Sequence, residues 1–181
     1  MEEFAAAATV PVVNALTDEA HPLQALADLF TIRERFGALE GLRVVWIGDG
    51  NNVCASLAEA CALLEVEFAC ASPSGYEPVG IGVLADPREA ARGAHVLVTD
   101  VWTSMGQEDE TAARRAAYAG YQLDDTLLAE ADPEAIVLHC LPAHPGEEIA
   151  ADVLYGPRSA VWDEAENRLH TAKALLALTV P

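Results

Sequence analysis

The run His139-Cys140-Leu141-Pro142-Ala143-His144 gathers two imidazoles and a thiol around a proline. Imidazoles exchange protons near neutrality, and a thiol does so once its surroundings favour the thiolate. The run follows Ala135-Ile136-Val137-Leu138, an apolar stretch bounded by Asp132-Pro133 that reads as a buried strand. Open α/β sheets place ligands at that end of a strand. A cysteine beside a strand is by itself most often a small buried hydrophobe. A second polar cluster shifts the reading. Val96-Leu97-Val98-Thr99, again apolar, leads directly into Asp100-Val101-Trp102-Thr103-Ser104-Met105-Gly106-Gln107-Glu108. Two strand ends carrying Asp, Ser, Cys and His are expected to build one site. A buried carboxylate without a partner is costly, so Asp100 wants a cation. With no lysine and few arginines near it in sequence, the ammonium of a ligand is the favoured partner.

Three more clusters could bind polar groups. Gly48-Asp49-Gly50-Asn51-Asn52 follows an apolar run and opens a helical one, but a dinucleotide fingerprint needs a third glycine where Val53 stands. That argues against a nicotinamide cofactor. What remains is a tight turn with two carboxamides at a helix start, which suits a carboxylate. Asn51 as a helix cap is the simpler use and can coexist with Asn52 holding a ligand. His21-Pro22-Leu23-Gln24 sets an imidazole and a carboxamide one turn apart, although a lone His there is commonly just a cap. Asn167-Arg168-Leu169-His170 offers a guanidinium able to hold phosphate by paired hydrogen bonds, or to make only a surface ion pair.

The elements that must position these groups alternate. Strands are expected at 42–47, 66–71, 95–99 and 135–139, with a short extended piece at 10–13 and another at 160–162. Helices are expected at 1–9, from Pro22 to Gly37, from Val53 to Leu64, from Pro87 to Arg92, near 109–119, from Asp124 to Ala131, near 148–154, and from a capping-box start at Asp163 and Glu166 to the end. Residues 75–86 carry no helical period. The pattern predicts an α/β fold with a doubly wound parallel sheet flanked by helices.

At 181 residues, 52% of them hydrophobic, the chain has ample material for one core. No stretch is long and apolar enough to span a bilayer, and residues 1–20 lack a basic signal-peptide start, so a cytoplasmic protein is expected. Cys54, Cys61, Cys70 and Cys140 show no CxxC pairing, so neither a disulfide framework nor a metal site is expected. Ten basic against 29 acidic residues give a net charge of −19, which makes nucleic acid and anionic membrane poor partners. We read the acidic surface as suited to a salt-rich interior. A melting temperature unchanged from low to molar salt would sink that reading.

In order, His21 to Gln24, Gly48 to Asn52, Asp100 to Gly106, His139 to His144 and Asp163 to His170 resemble the motifs of ornithine carbamoyltransferases, over nearly the whole chain. Aspartate carbamoyltransferases share the His-Pro-x-Gln element but lack the Ser-Met-Gly loop and the His-Cys-Leu-Pro run. The resemblance implies a Rossmann-like fold and carbamoyl transfer from carbamoyl phosphate to L-ornithine, giving citrulline and phosphate in arginine biosynthesis, with no metal and no organic cofactor. It implies that Asn52, Asp100, Ser104, Met105, Cys140 and Leu141 grip ornithine. Asp100 would face its α-ammonium, and Asn52 and the Ser-Met-Gly backbone its α-carboxylate. His21, Gln24 and Arg168 would reach carbamoyl phosphate, and Cys140, Asp100 and Arg168 would take part in catalysis.

The likeness is to the second of the family's two domains. No Ser-Thr-Arg-Thr-type phosphate loop occurs here, and Arg33 and Arg35 sit mid-helix. The expected organisation is a lead-in and interdomain segment at 1–24, an ornithine-binding α/β domain at 25–162, and a C-terminal helix at 163–181 that would pack on the missing domain through Leu175, Leu176 and Leu178. The family's homotrimer is in doubt on the same ground. The segment at 79–85 is shorter than in relatives, which is expected to uncover apolar surface, and Pro145 stands where many carry arginine. The chain is thus expected to be inactive alone, as an incomplete product or one chain of a split enzyme. The alternatives are a non-catalytic amino-acid-binding remnant and, from another class, a dehydrogenase fragment.

Overall fold

The computed structural model describes residues 1–104 and 106–180. Its elements are α1 (Glu2–Ala7), α2 (Pro22–Phe36), β1 (Arg43–Ile47), α3 (Asn52–Leu63), β2 (Glu67–Ala71), β3 (Val83–Leu84), α4 (Pro87–Ala91), β4 (Val96–Thr99), α5 (Thr111–Ala117), α6 (Asp125–Leu128), β5 (Ile136–His139), α7 (Ala151–Leu154) and α8 (Val161–Thr179). The strands form one sheet in the order β3-β2-β1-β4-β5, and every pair is parallel. The expected doubly wound α/β fold is what the chain adopts.

Strand side chains alternate between two buried layers, because both faces of the sheet are covered. Val45, Ile47, Leu97 and Val137 pack toward Tyr118, Leu123, Leu127 and Leu154 on one side. Val44, Trp46, Val96, Val98 and Leu138 face Ala25, Leu29, Ile32, Leu57 and Cys61, from α2 and α3, on the other. The α2 helix also packs along α8. Pro22 opens α2, and Gly37, with φ +80°, closes it by sending its N–H to the Arg33 carbonyl.

The structure departs from the sequence reading at four places. Segment 79–85 holds β3, which pairs Val83 with Cys70 and Leu84 with Ala71 on the sheet edge, and it leaves Val79 98% exposed. Ala160–Trp162 is not a separate extended piece. Ser159 bridges Val137, the Ala160 N–H donates to the Val137 carbonyl, and α8 starts at Val161, so Asp163 is not its cap. Asp163 instead pairs with Arg35 of α2. Residues 145–149 stay out of helix because Ile149 bridges Leu123 and Pro145, which confines α7 to Ala151–Leu154. The helix near 109–119 is a 3-10 turn at Glu108–Glu110 followed by α5.

Candidate active-site cleft

The chain runs outward from β1 through β2 to β3, then returns to β4 and β5 on the other side. The sheet therefore reverses its winding between β1 and β4, where crevices form beyond the carboxyl ends of strands. A cleft of about 860 Å3 opens there. Its lining includes His21, Asn52, Asp100, Ser104, Cys140 and Leu141.

The turn after β1 needs its glycines. Gly48 has φ +135°, and a Cβ on Gly50 would lie 2.1 Å from the Pro78 nitrogen. Asn51 then caps α3, its Oδ1 accepting from the Val53 and Cys54 N–H groups at 3.0 and 3.1 Å. The same side chain donates through Nδ2 to Asp100 Oδ2 at 2.7 Å. Asp100 Oδ1 accepts from the Val101 N–H at 2.8 Å. Asp100 is only 6% exposed, yet it forms no ion pair among the described residues.

Cys140 lies beside Asp100. Burial, and then the neighbouring Asp100 charge, push its thiol well above the ordinary range, so it stays protonated at neutral pH. Cys140 is therefore a hydrogen-bonding group of the cleft rather than a resting thiolate. Asp100, His139 and Cys140 offer donor atoms within 4.8 Å of one another, a spacing that could suggest a metal. Both nitrogens of His139 are in use, however. Nδ1 accepts from the Leu141 N–H at 2.9 Å, and Nε2 faces Glu148 Oε1 at 3.1 Å. The imidazole is thereby fixed as the Nε2–H tautomer and serves the loop, because Glu148 also accepts from the His144 N–H. This bracing holds Leu141 at φ +60°, ahead of the cis Leu141-Pro142 bond.

A second aspartate sits one strand away. Asp49 Oδ1 accepts from the Tyr118 hydroxyl at 2.6 Å and from Arg114 Nη1 at 3.1 Å. The Arg114 guanidinium also donates to the Trp102 carbonyl at 2.9 Å and stacks 4.8 Å over the Tyr76 ring. The cluster pins the start of the loop that carries Ser104, whose N–H is held by Gln107 Oε1 at 3.1 Å. Sequence reasoning missed Arg114, Tyr118, His139 and Glu148 as supports. The Asp49 partners lie 65 and 69 residues further along the chain, beyond any local pattern.

The remaining anticipated residues are placed unevenly. Asn52 lines the cleft, but its Nδ2 donates to the Thr17 carbonyl at 2.7 Å. His21 lines the cleft without capping α2 by its side chain. Its imidazole is shifted below the ordinary value by burial and then by the nearby Arg168 charge, so it rests neutral. Arg168 is part-exposed on α8, makes no ion pair among the described residues, and lies beside His21 without lining the cleft. Gln24 is 5% exposed and does not line the cleft, because its amide is drawn between Asp28 and Glu164. Met105 lies outside the described residues.

Residues 40–179 match the family described as "Aspartate/ornithine carbamoyltransferase, Asp/Orn binding domain". Residues 1–34 match that family's carbamoyl-P binding domain. The chain is 61% identical over 186 residues to an ornithine carbamoyltransferase of Acidothermus cellulolyticus, covering 94% of itself and 60% of that relative. It superposes on the crystal structure of ornithine carbamoyltransferase from Thermus thermophilus with a TM-score of 0.92 at 50% identity, covering 99% of this chain and 62% of that one. The corresponding values for the Pyrococcus furiosus enzyme are 0.93, 46%, 98% and 62%. The chain thus spans about three fifths of the length of these relatives.

Proposed function

The chain belongs to the ornithine carbamoyltransferase family, and on that premise we propose that it supplies the ornithine-binding half of the reaction that turns carbamoyl phosphate and L-ornithine into citrulline and phosphate. One observation carries the reading. Asp100, nearly buried beside the Cys140 thiol at the switch point of the sheet, has hydrogen bonds but no cation among the described residues. An α-ammonium completes it, which favours an amino acid over a substrate lacking that group. The cleft's backbone at Ser104 and the Asn52 amide serve the α-carboxylate, and Asn52 must first release the Thr17 carbonyl. Cys140 and Leu141 flank the attacking side-chain amine, which must lose a proton before it can attack. His21, Arg168 and, from behind the cleft, Gln24 serve the carbamoyl phosphate side, where donors such as Arg168 stabilise the leaving phosphate.

The phosphate-binding part is largely supplied by residues outside this chain, and the surface supports that reading. Leu26, Phe30, Ala174, Leu175 and Leu178 line a groove of about 310 Å3 between α2 and α8, and Leu178 is 85% exposed. We assign this groove to the rest of the carbamoyl-phosphate domain, and subunit assembly to the completed protein. In this division, 1–24 leads in from the phosphate domain, 25–162 forms the ornithine site, and 163–181 docks back. The test is citrulline formation by the purified chain, alone and with a family amino-terminal domain added. Activity only in the mixture supports the division of labour. Turnover by the chain alone would refute the need for outside residues. Failure to bind ornithine in any arrangement would refute the proposed function.

A further inference from the structure

Behind the cleft, two carboxylates that the proposed chemistry does not use, Asp28 and Glu164, meet the Gln24 amide between α2 and α8. Gln24 Nε2 donates to Asp28 Oδ1 at 2.8 Å and to Glu164 Oε1 at 2.9 Å. Asp28 and Glu164 are each 1% exposed and lie within hydrogen-bonding reach of one another. Glu164 Oε2 accepts the His139 N–H at 2.8 Å, at the end of the strand that leads into Cys140. Asp28 Oδ2 is buried without a partner among the described residues.

We propose that Asp28 and Glu164 share a single proton and act as a positioning pair, fixing the Gln24 amide and tying α2 and α8 to the strand end that carries Cys140. Two bare carboxylates gathered on one amide nitrogen repel each other, and burial multiplies the cost. The charged and titratable groups facing the pair are Arg168 on α8, Asp100 after β4, Cys140 after β5 and Cys61 on α3. One of these is a cation and one an anion, so their effects oppose each other and burial decides in favour of holding a proton. Placed on Glu164, that proton is donated toward Asp28, whose Oδ2 is otherwise an orphaned acceptor. Burial accordingly pushes Asp28 up to about 7, and Glu164 rises well above the carboxylate range.

The consequence lies in Gln24. Both of its amide hydrogens are taken by the pair, which decides the orientation of the side chain and leaves its carbonyl oxygen as the free acceptor. Gln24 is 5% exposed and stands outside the cleft lining, so the pair acts on it as part of the packing that backs Cys140. The shared proton does not depend on the proposed function.

Infrared difference spectroscopy on the full chain near pH 8, above the Asp28 value of about 7, tests the proton directly. The wild type is expected to show a buried carboxylic acid C=O band that shifts in deuterium oxide. Asp28→Asn and Glu164→Gln, both close in shape to the originals, should each lose it, because an amide relieves the repulsion and donates to the surviving carboxylate. In parallel, both Gln24 side-chain amide protons should exchange slowly by NMR, and Asp28→Ala should speed one of them at least about tenfold. A wild type without the band, or a band unchanged in both conservative variants, would overturn the proposal whether or not the alanine variant folds. Neither readout needs substrate, so a chain that shows the band but never contributes to citrulline formation refutes the function and leaves the pair standing.

Discussion

Asp49 follows β1, Asp100 follows β4, and each is 6% exposed on the same edge of the sheet. Asp49 is satisfied from within: Arg114 and Tyr118 converge on one of its oxygens, and Arg114 goes on to brace the Trp102 carbonyl. Asp100 receives one carboxamide, one backbone N–H and the Cys140 thiol, and no ion pair among the described residues. Two carboxylates of equal burial thus hold opposite offices. The difference lies in whether the protein provides the counter-charge, and a buried acid left without one points outward to a ligand.

The largest expected effect comes from breaking the paired acid. Asp49→Ala leaves the Arg114 side chain, 7% exposed, without its buried partner. Removing one member of such a pair costs about 3–5 kcal/mol. Urea unfolding should show that loss, and a change under about 1 kcal/mol would mean Asp49 is no more structural than Asp100. The converse substitution, Asp100→Asn, should leave stability within about 1 kcal/mol. It should weaken L-ornithine binding by at least about 2 kcal/mol, roughly thirtyfold, when read by calorimetry. A large stability loss with unchanged affinity would reverse the assignment of the two aspartates.

A smaller effect separates both from another buried aspartate, Asp28. Its proton affinity is raised by burial, so the folded chain binds a proton between its ordinary carboxylate value and about 7 that the unfolded chain has released. The stabilisation from this group is complete at low pH and is lost as pH climbs through about 7. Unfolding measured from pH 5 to pH 8 should show stability falling by on the order of 1–3 kcal/mol in the wild type. Asp28→Asn should flatten that slope. A wild type that gains stability over the same range would contradict the raised proton affinity of Asp28.

Much of this architecture was legible in advance, and the misses have physical causes. The strands at 42–47, 66–71, 95–99 and 135–139 announced themselves because a sheet buried on both faces needs continuous apolar runs. The strand Val83–Leu84 did not, since two residues pairing along an edge leave no period to read. Asp100 could be singled out because its lack of local cations is a sequence property. Its contrast with Asp49 could not, because the Arg114 that neutralises Asp49 arrives from a different helix. Gln24 shows the same limit. Its motif was visible, but its orientation is set by Glu164, 140 residues away. One local signal was available. Gln24, Asp28 and Thr31 recur at helical spacing among Ala25, Leu29 and Ile32, which puts polar groups on a core-facing stripe where each needs a buried partner.

The finest test falls on Asn51, which serves the helix and the acid with opposite ends of one carboxamide. Its Oδ1 caps α3, and its Nδ2 donates to Asp100 Oδ2. Asn51→Ser keeps an oxygen for the cap and removes the donor. Serine ranks with asparagine at such positions, so the cap itself should change by a few tenths of a kcal/mol. Asp100 then keeps its backbone N–H but loses the contact that aims its second oxygen. Ornithine affinity should fall by about 1 kcal/mol, a factor of about five, with stability nearly unchanged. If stability falls by that much and affinity holds, the Asn51 bond belongs to the fold in the manner of the Asp49 cluster. Asp100 would then be braced like its neighbour instead of poised for a ligand.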